Sequence, residues 1–94
     1  MKKAIVTGST GFIGSVFVEY LTNKGIEVLA LGRRNLKDLS KRRRTKILKA
    51  TYLQIDMEKI NNLNESIKSI GWDPGTECIF FNLAWGGEDR LSDL

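Results

Sequence analysis

Val6-Thr7-Gly8-Ser9-Thr10-Gly11-Phe12-Ile13-Gly14 decides how the rest of the chain is read. It follows the apolar run Ala4-Ile5-Val6 and opens a segment of helical periodicity, so its three glycines fall in a strand-to-helix turn. In such a turn Gly8 lets the backbone reverse sharply, and Gly11 leaves room for a diphosphate against the main chain. Gly14 lets the first helical turn approach the strand. The helix start adds unsatisfied N–H donors and about half a positive elementary charge, both suited to an anion. The candidate phosphate seat runs from Gly8 to Gly14, with Ser9, Thr10, Phe12 and Ile13 contributing the intervening backbone. A turn that serves packing alone is the competing reading, and the agreement of strand, turn and helix with the motif argues against it.

Upstream, Lys3 to Thr7 reads as a short strand without alternation, the pattern of a parallel sheet covered on both faces. Downstream, Ile13, Val16, Phe17, Tyr20 and Leu21 recur at intervals of three and four residues. They predict a helix over Phe12 to Lys24 that buries that one face. Gly25 stands where a helix commonly ends. Ile26 to Leu31 predicts a second strand, and Gly32-Arg33-Arg34-Asn35 leaves its carboxyl end. Residues 36–49 are charged and weakly periodic, with Leu36, Leu39, Ile47 and Leu48 as anchors for one or two short helical turns. Thr51 to Ile55 predicts a third strand ending at Asp56. Ile60, Leu63, Ile67 and Ile70 predict an amphipathic helix between Glu58 and Ile70. Gly71 to Glu77 is a loop, and Cys78 to Ala84 a fourth strand. Strands alternating with helices imply an α/β fold: a parallel sheet of about four strands in the order 3-2-1-4, with right-handed crossovers and helices on both faces.

A chain of 94 residues with 41% hydrophobic and 28% charged residues is one globular unit of ordinary composition. Its one cysteine, Cys78, excludes an internal disulfide and reads as an inert thiol in a reducing cytoplasm. No signal peptide or membrane-length apolar run is evident, so a soluble, cytoplasmic protein without a membrane partner is expected. The net charge of +4 derives largely from Arg33-Arg34 and from Lys41-Arg42-Arg43-Arg44-Thr45-Lys46. Such a run can attract nucleic acid, or it can be a solvated loop. Without interleaved aromatics or a nucleic-acid module, no nucleic-acid partner is expected.

The spacing Thr7-Gly8-x-x-Gly11-Phe12-Ile13-Gly14 resembles the cofactor fingerprint of the extended short-chain dehydrogenase/reductase family, which includes NAD-dependent nucleotide-sugar epimerases and dehydratases. The resemblance implies a partial Rossmann fold that binds NAD or NADP, and a nucleotide-sugar substrate for the full-length family member. It covers only the first part of such a protein.

The ends of the four strands then take on roles. Gly32, eighteen residues after Gly14, stands where NAD-binding folds normally place an Asp or Glu on the adenosine ribose. With Arg33 and Arg34 beside it, a 2′-phosphate is favoured, hence NADP over NAD; alternatively these arginines only begin the basic loop. The resemblance implies that Asp56, followed by the aliphatic Met57, accepts from the adenine amino group. Asp56 is equally suited to capping the next helix. At the fourth strand end, Leu83, Ala84 and Trp85 occupy a segment that in the family passes the ribose and pyrophosphate. Ala84 matches the family pattern and Trp85 departs from it, so that either the loop is displaced or Trp85 lies against ligand. Gly86-Gly87 could supply the close approach instead.

No residue of this chain is assigned to catalysis or to a metal. The family's Tyr-x-x-x-Lys pair belongs to a helix after a fifth strand. The local match Tyr20-x-x-x-Lys24 is set aside because Tyr20 belongs to the stripe expected to be buried. The chain is therefore expected to be a truncated portion, not catalytically competent alone. A non-enzymatic NAD(P)-sensing module, or a ligand-free remnant of the same fold, are the alternatives. An open edge on the fourth strand implies a homo-oligomer, or residues 88–94 folded over it.

Overall fold

The computed structural model describes residues 2–56 and 63–83. The chain runs through strand β1 (Lys3–Thr7), helix α1 (Phe12–Asn23), strand β2 (Glu27–Gly32), helix α2 (Lys41–Ile47), strand β3 (Thr51–Gln54), helix α3 (Leu63–Ser69) and strand β4 (Cys78–Asn82). The four strands form one parallel sheet in the order β3-β2-β1-β4. Lys3 stands opposite both Glu27 and Cys78, so β1 is paired along both edges.

Alternate residues of the central strands feed two cores, which is why neither strand reads as amphipathic. Ala4, Val6, Val28 and Ala30 face Val18 and Leu21 of α1 and Ile47 of α2. Ile5, Leu29 and Leu31 face Ile67 of α3 and Trp72. The first two crossovers thus cover one face and the third covers the other, as right-handed connections in this strand order require.

The face of α1 that meets the sheet differs from the expected stripe. Gly14, Ser15, Val18 and Leu21 are its buried residues, while Tyr20 is 55% exposed and Ile13 59%. Small residues are the cause. Gly14 and Ser15 sit against the strand because the helix approaches too closely for larger side chains, which rotates the bulky apolar row outward. That row, with Phe12, Val16 and Phe17, lines an open groove on the outer side of α1. Phe17 meets Phe81 of β4 edge-on at 4.8 Å between ring centroids. Gly25 ends the helix in the left-handed region, φ 81°, as its position implied.

Two side-chain caps order the basic segment. Asn35 Oδ1 accepts from the Lys37 N–H at the head of a short 3-10 turn, Leu36–Asp38, and Ser40 Oγ accepts from the Arg43 N–H at the head of α2. Ile47 anchors that helix in the core. On the other face Ile70, expected to be buried, is 42% exposed just past the end of α3. Trp72 fills the core from the segment read as a loop. Strand β2 begins one residue later and extends one further than expected, and β4 ends at Asn82. The expected positions of Met57, Ile60, Ala84, Trp85, Gly86-Gly87 and the 88–94 segment lie outside the described residues. Ile79 and Phe80 of β4 are about half exposed.

Candidate functional site

The carboxyl ends of β1 and β2 are joined by a backbone bond from Ser9 N–H to Leu31 O at 3.0 Å. Around it the turn takes the shape its glycines allow. Gly8 is left-handed, φ 67°. Gly14 approaches so closely that a Cβ there would stand 2.0 Å from Gly8 O, so the helix could not dock with any side chain at this position. Gly11 is different. A Cβ built on it would meet Gly8 O at 3.5 Å, an ordinary contact, and no other atom of the described residues within 4 Å, so among them the space above it is open.

Gly11 is the N-cap of α1, with extended backbone and no side chain closing the helix end. The first main-chain bond of the helix is Ser15 N–H to Gly11 O, which leaves the N–H groups of Phe12, Ile13 and Gly14 ahead of it without a helical acceptor. No acidic residue occupies the first turn. Open space, convergent N–H donors and the positive end of a helix dipole together fit a diphosphate.

Ser9 and Thr10 are buried, and their side chains face the protein. Ser9 Oγ donates to Val6 O at 2.7 Å while its N–H holds β2, so both of its donors maintain the turn. The methyl group of Thr10 packs against Gly32. Phe12 and Ile13 expose their side chains, leaving their main chain at the helix start.

At the end of β2 the carboxylate common to NAD sites is replaced by Gly32, which is buried. Arg33 and Arg34 follow, both exposed, and neither makes an ion pair among the described residues. Asp56 lies two residues past the end of β3, at the same end of the sheet. Leu83 packs partly into the core just past β4, and its N–H donates to Thr7 Oγ1 at 2.9 Å. The fold thus gathers the glycine turn, Arg33, Arg34, Asp56 and Leu83 at the carboxyl ends of the strands, where open parallel sheets bind ligands.

Three further residues, none of them assigned to the site from the sequence, shape this end. The fully buried Thr7 donates to Asn82 Oδ1 at 2.8 Å besides accepting from Leu83, and so fastens the end of β4 to β1. Tyr52 and Gln54 of β3 hold the carbonyls of Arg34 and Arg33. Thr7 had a signal, standing just before the first glycine. A tyrosine beside a glycine on the next strand becomes visible only once the register is known.

Tyr20 and Lys24 stand apart from this end. Tyr20 is eight residues beyond Phe12, about 12 Å along the helix axis at its ordinary rise. The Lys24 ammonium lies 5.4 Å from the centre of its ring, an intrahelical contact. Cys78 opens β4 at the opposite end of the sheet, opposite Lys3, and burial raises its thiol above the ordinary range while the Lys3 charge opposes the shift. Among the described residues no group of three or more His, Cys, Asp or Glu could hold a metal ion, and no helix is long and apolar enough to cross a membrane.

Fold and turn together define a Rossmann-type, dinucleotide-binding α/β architecture. Residues 4–75 match the family described as the NAD dependent epimerase/dehydratase family, and the chain belongs to it. Among solved structures it resembles MoeE5, determined in complex with UDP-glucose and NAD, with 30% identity and a TM-score of 0.58. That match covers 90% of this chain and 23% of MoeE5. It also resembles a UDP-galactose 4-epimerase, with 26% identity and a TM-score of 0.61, over 98% of this chain and 27% of the epimerase. The chain therefore spans about a quarter of the length of these structural relatives. No curated protein matches the sequence.

Proposed function

We propose that this chain is the dinucleotide-binding portion of an oxidoreductase-type nucleotide-sugar epimerase or dehydratase, with NADP favoured over NAD. The observation that carries the reading is the helix start at Gly11, open and lined by main-chain N–H groups. The diphosphate would lie against Gly8, Gly11 and the backbone through Ile13. Arg33 and Arg34 would face the adenosine ribose, Asp56 and Met57 would border the adenine, and Leu83, Ala84 and Trp85 would flank the nearer ribose. A bound nicotinamide dinucleotide supplies hydride transfer. The contribution of these residues is to bind and orient it, since no group here is assigned to moving a proton. A cytoplasmic setting belongs to the same reading. The outer edge of β4, with Ile79 and Phe80 half exposed, is proposed to pair with a further strand, from the same protein or from a second copy.

Calorimetric titration of the 94-residue chain with NADPH and with NADH tests the reading. The expected dissociation constant is about a micromolar to a millimolar, roughly 8 to 4 kcal/mol. NADPH should bind more tightly, and Arg33→Asp should reverse the order. A folded sample giving no heat with either nucleotide would refute the proposal.

A further inference from the structure

The turn that leaves β2 is held in place from the neighbouring strand. Tyr52 Oη donates to the carbonyl oxygen of Arg34 at 2.5 Å, and Gln54 Nε2 donates to that of Arg33 at 3.2 Å. These two side chains are two residues apart in β3 and so share one face of the sheet, with Gln54 opposite Gly32. A Cβ at Gly32 would stand 2.6 Å from Thr10 Cγ2 and 2.7 Å from Tyr52 Oη. A carboxylate, the group that takes the ribose hydroxyl of NAD, therefore has no room at position 32 while Tyr52 holds its place. Meanwhile both arginine carbonyls are tied back toward β3, and the exposed guanidinium groups have no ion-pair partner among the described residues. Burial pushes the Tyr52 hydroxyl up to about 12, so it stays a protonated donor across the physiological range.

We infer that Tyr52, seconded by Gln54, is the positioning residue that sets the preference of the adenosine end for a 2′-phosphorylated ribose. Its hydroxyl fixes the main chain from which the two arginines project, and the same atom, together with Thr10 Cγ2, closes position 32 to an acidic side chain. The inference rests on the cofactor reading above and adds to it a pair of residues that touch no ligand.

The test uses two probes of the adenosine end alone, adenosine 2′,5′-bisphosphate and 5′-AMP, titrated calorimetrically into the full chain. The wild type should bind the bisphosphate about tenfold or more tightly than 5′-AMP, the difference expected of a charge-assisted phosphate contact. Tyr52→Phe keeps the ring and removes the bond. It should lower that ratio by about three- to tenfold, the usual worth of one hydrogen bond, with 5′-AMP affinity unchanged. Gln54→Leu should lower it by less. An unchanged ratio in both variants overturns the role of Tyr52 and leaves the cofactor reading standing, and an equal loss for both probes makes Tyr52 merely structural, with the same consequence. A wild type that binds neither probe, or both alike, defeats the NADP reading itself and the positioning role with it. Thermal unfolding accompanies each titration. Should Tyr52→Phe fail to fold, the ratio in Gln54→Leu decides, and no change there overturns the inference.

Discussion

Gly11 and Gly14 are three residues apart in one turn, yet they answer to different demands. At Gly14 any Cβ collides with the backbone of Gly8, so Gly14→Ala should destabilise the fold by about 3 kcal/mol or more, measured by urea unfolding. Gly11 has ordinary φ, −75°, and open space beside it among the described residues. Gly11→Val should therefore leave unfolding within about 1 kcal/mol of wild type and abolish dinucleotide binding. Loss of both properties, or of neither, would contradict the assignment of the open space to a diphosphate. Tyr52 adds a pH dependence whose sign is set by its environment. Its hydroxyl titrates at about 12 in the folded chain against 10 when unperturbed, because burial disfavours the charged form. Stability from this group is complete below about pH 10 and falls as pH rises through 12. Tyr52→Phe should flatten that alkaline decline relative to wild type, with the lysines common to both. Parallel declines in urea unfolding between pH 9.5 and 12.5, an approximate window bracketing both values, would count against it.

Helix α1 shows how far an apolar pattern can be trusted. Its bounds were legible, since Gly11 and Gly25 mark them and apolar residues recur at helical spacing between. Its buried face was not, because periodicity weights bulk, and the residues nearest the sheet here include Gly14 and Ser15. The contrast is measurable. Val18→Ala, at a position fully buried, should cost about 1.5 to 3 kcal/mol. Val16→Ala, 41% exposed, should cost under about 0.5. Equal costs would mean that α1 is rotated from its described orientation. The basic segment was legible only as an interruption. Its two helical pieces depend on Asn35 and Ser40 as caps and on Ile47 as an anchor, signals too sparse to set bounds. Trp72 could not be foreseen in the core, because Gly71, Asp73, Pro74 and Gly75 around it all signal a surface turn.

For the molecule as a whole, strand order and the covering of both faces followed from the alternation of elements, since right-handed crossovers leave little choice of topology. The contents of the site followed less fully. The glycine turn is a local motif, and spacing alone located it. The contacts among Thr10, Gly32 and Tyr52 unite three elements that only the sheet register brings together. The same register leaves a broad apolar surface uncovered: Phe12, Ile13, Val16 and Tyr20 along α1, and Ile79 and Phe80 on β4. Surfaces of this kind ordinarily lie against another part of a protein. The isolated 94-residue chain should therefore self-associate in sedimentation experiments, and Tyr20→Lys with Ile79→Lys should raise its monomer fraction. A chain that is monomeric at every concentration would show that water tolerates these faces.

Strand β1 carries the glycine turn and takes one partner from nearby in sequence and one from far along it, β2 at Glu27 and β4 at Cys78. During synthesis the first partner emerges almost at once, whereas Lys3 must wait for a residue 75 positions later. At ordinary elongation rates of about 5 to 20 residues per second, that is an interval of roughly 4 to 15 seconds. Through that interval β1 has one row of main-chain groups unclaimed, while the glycine turn that follows it is already tied to β2 through the Ser9–Leu31 bond.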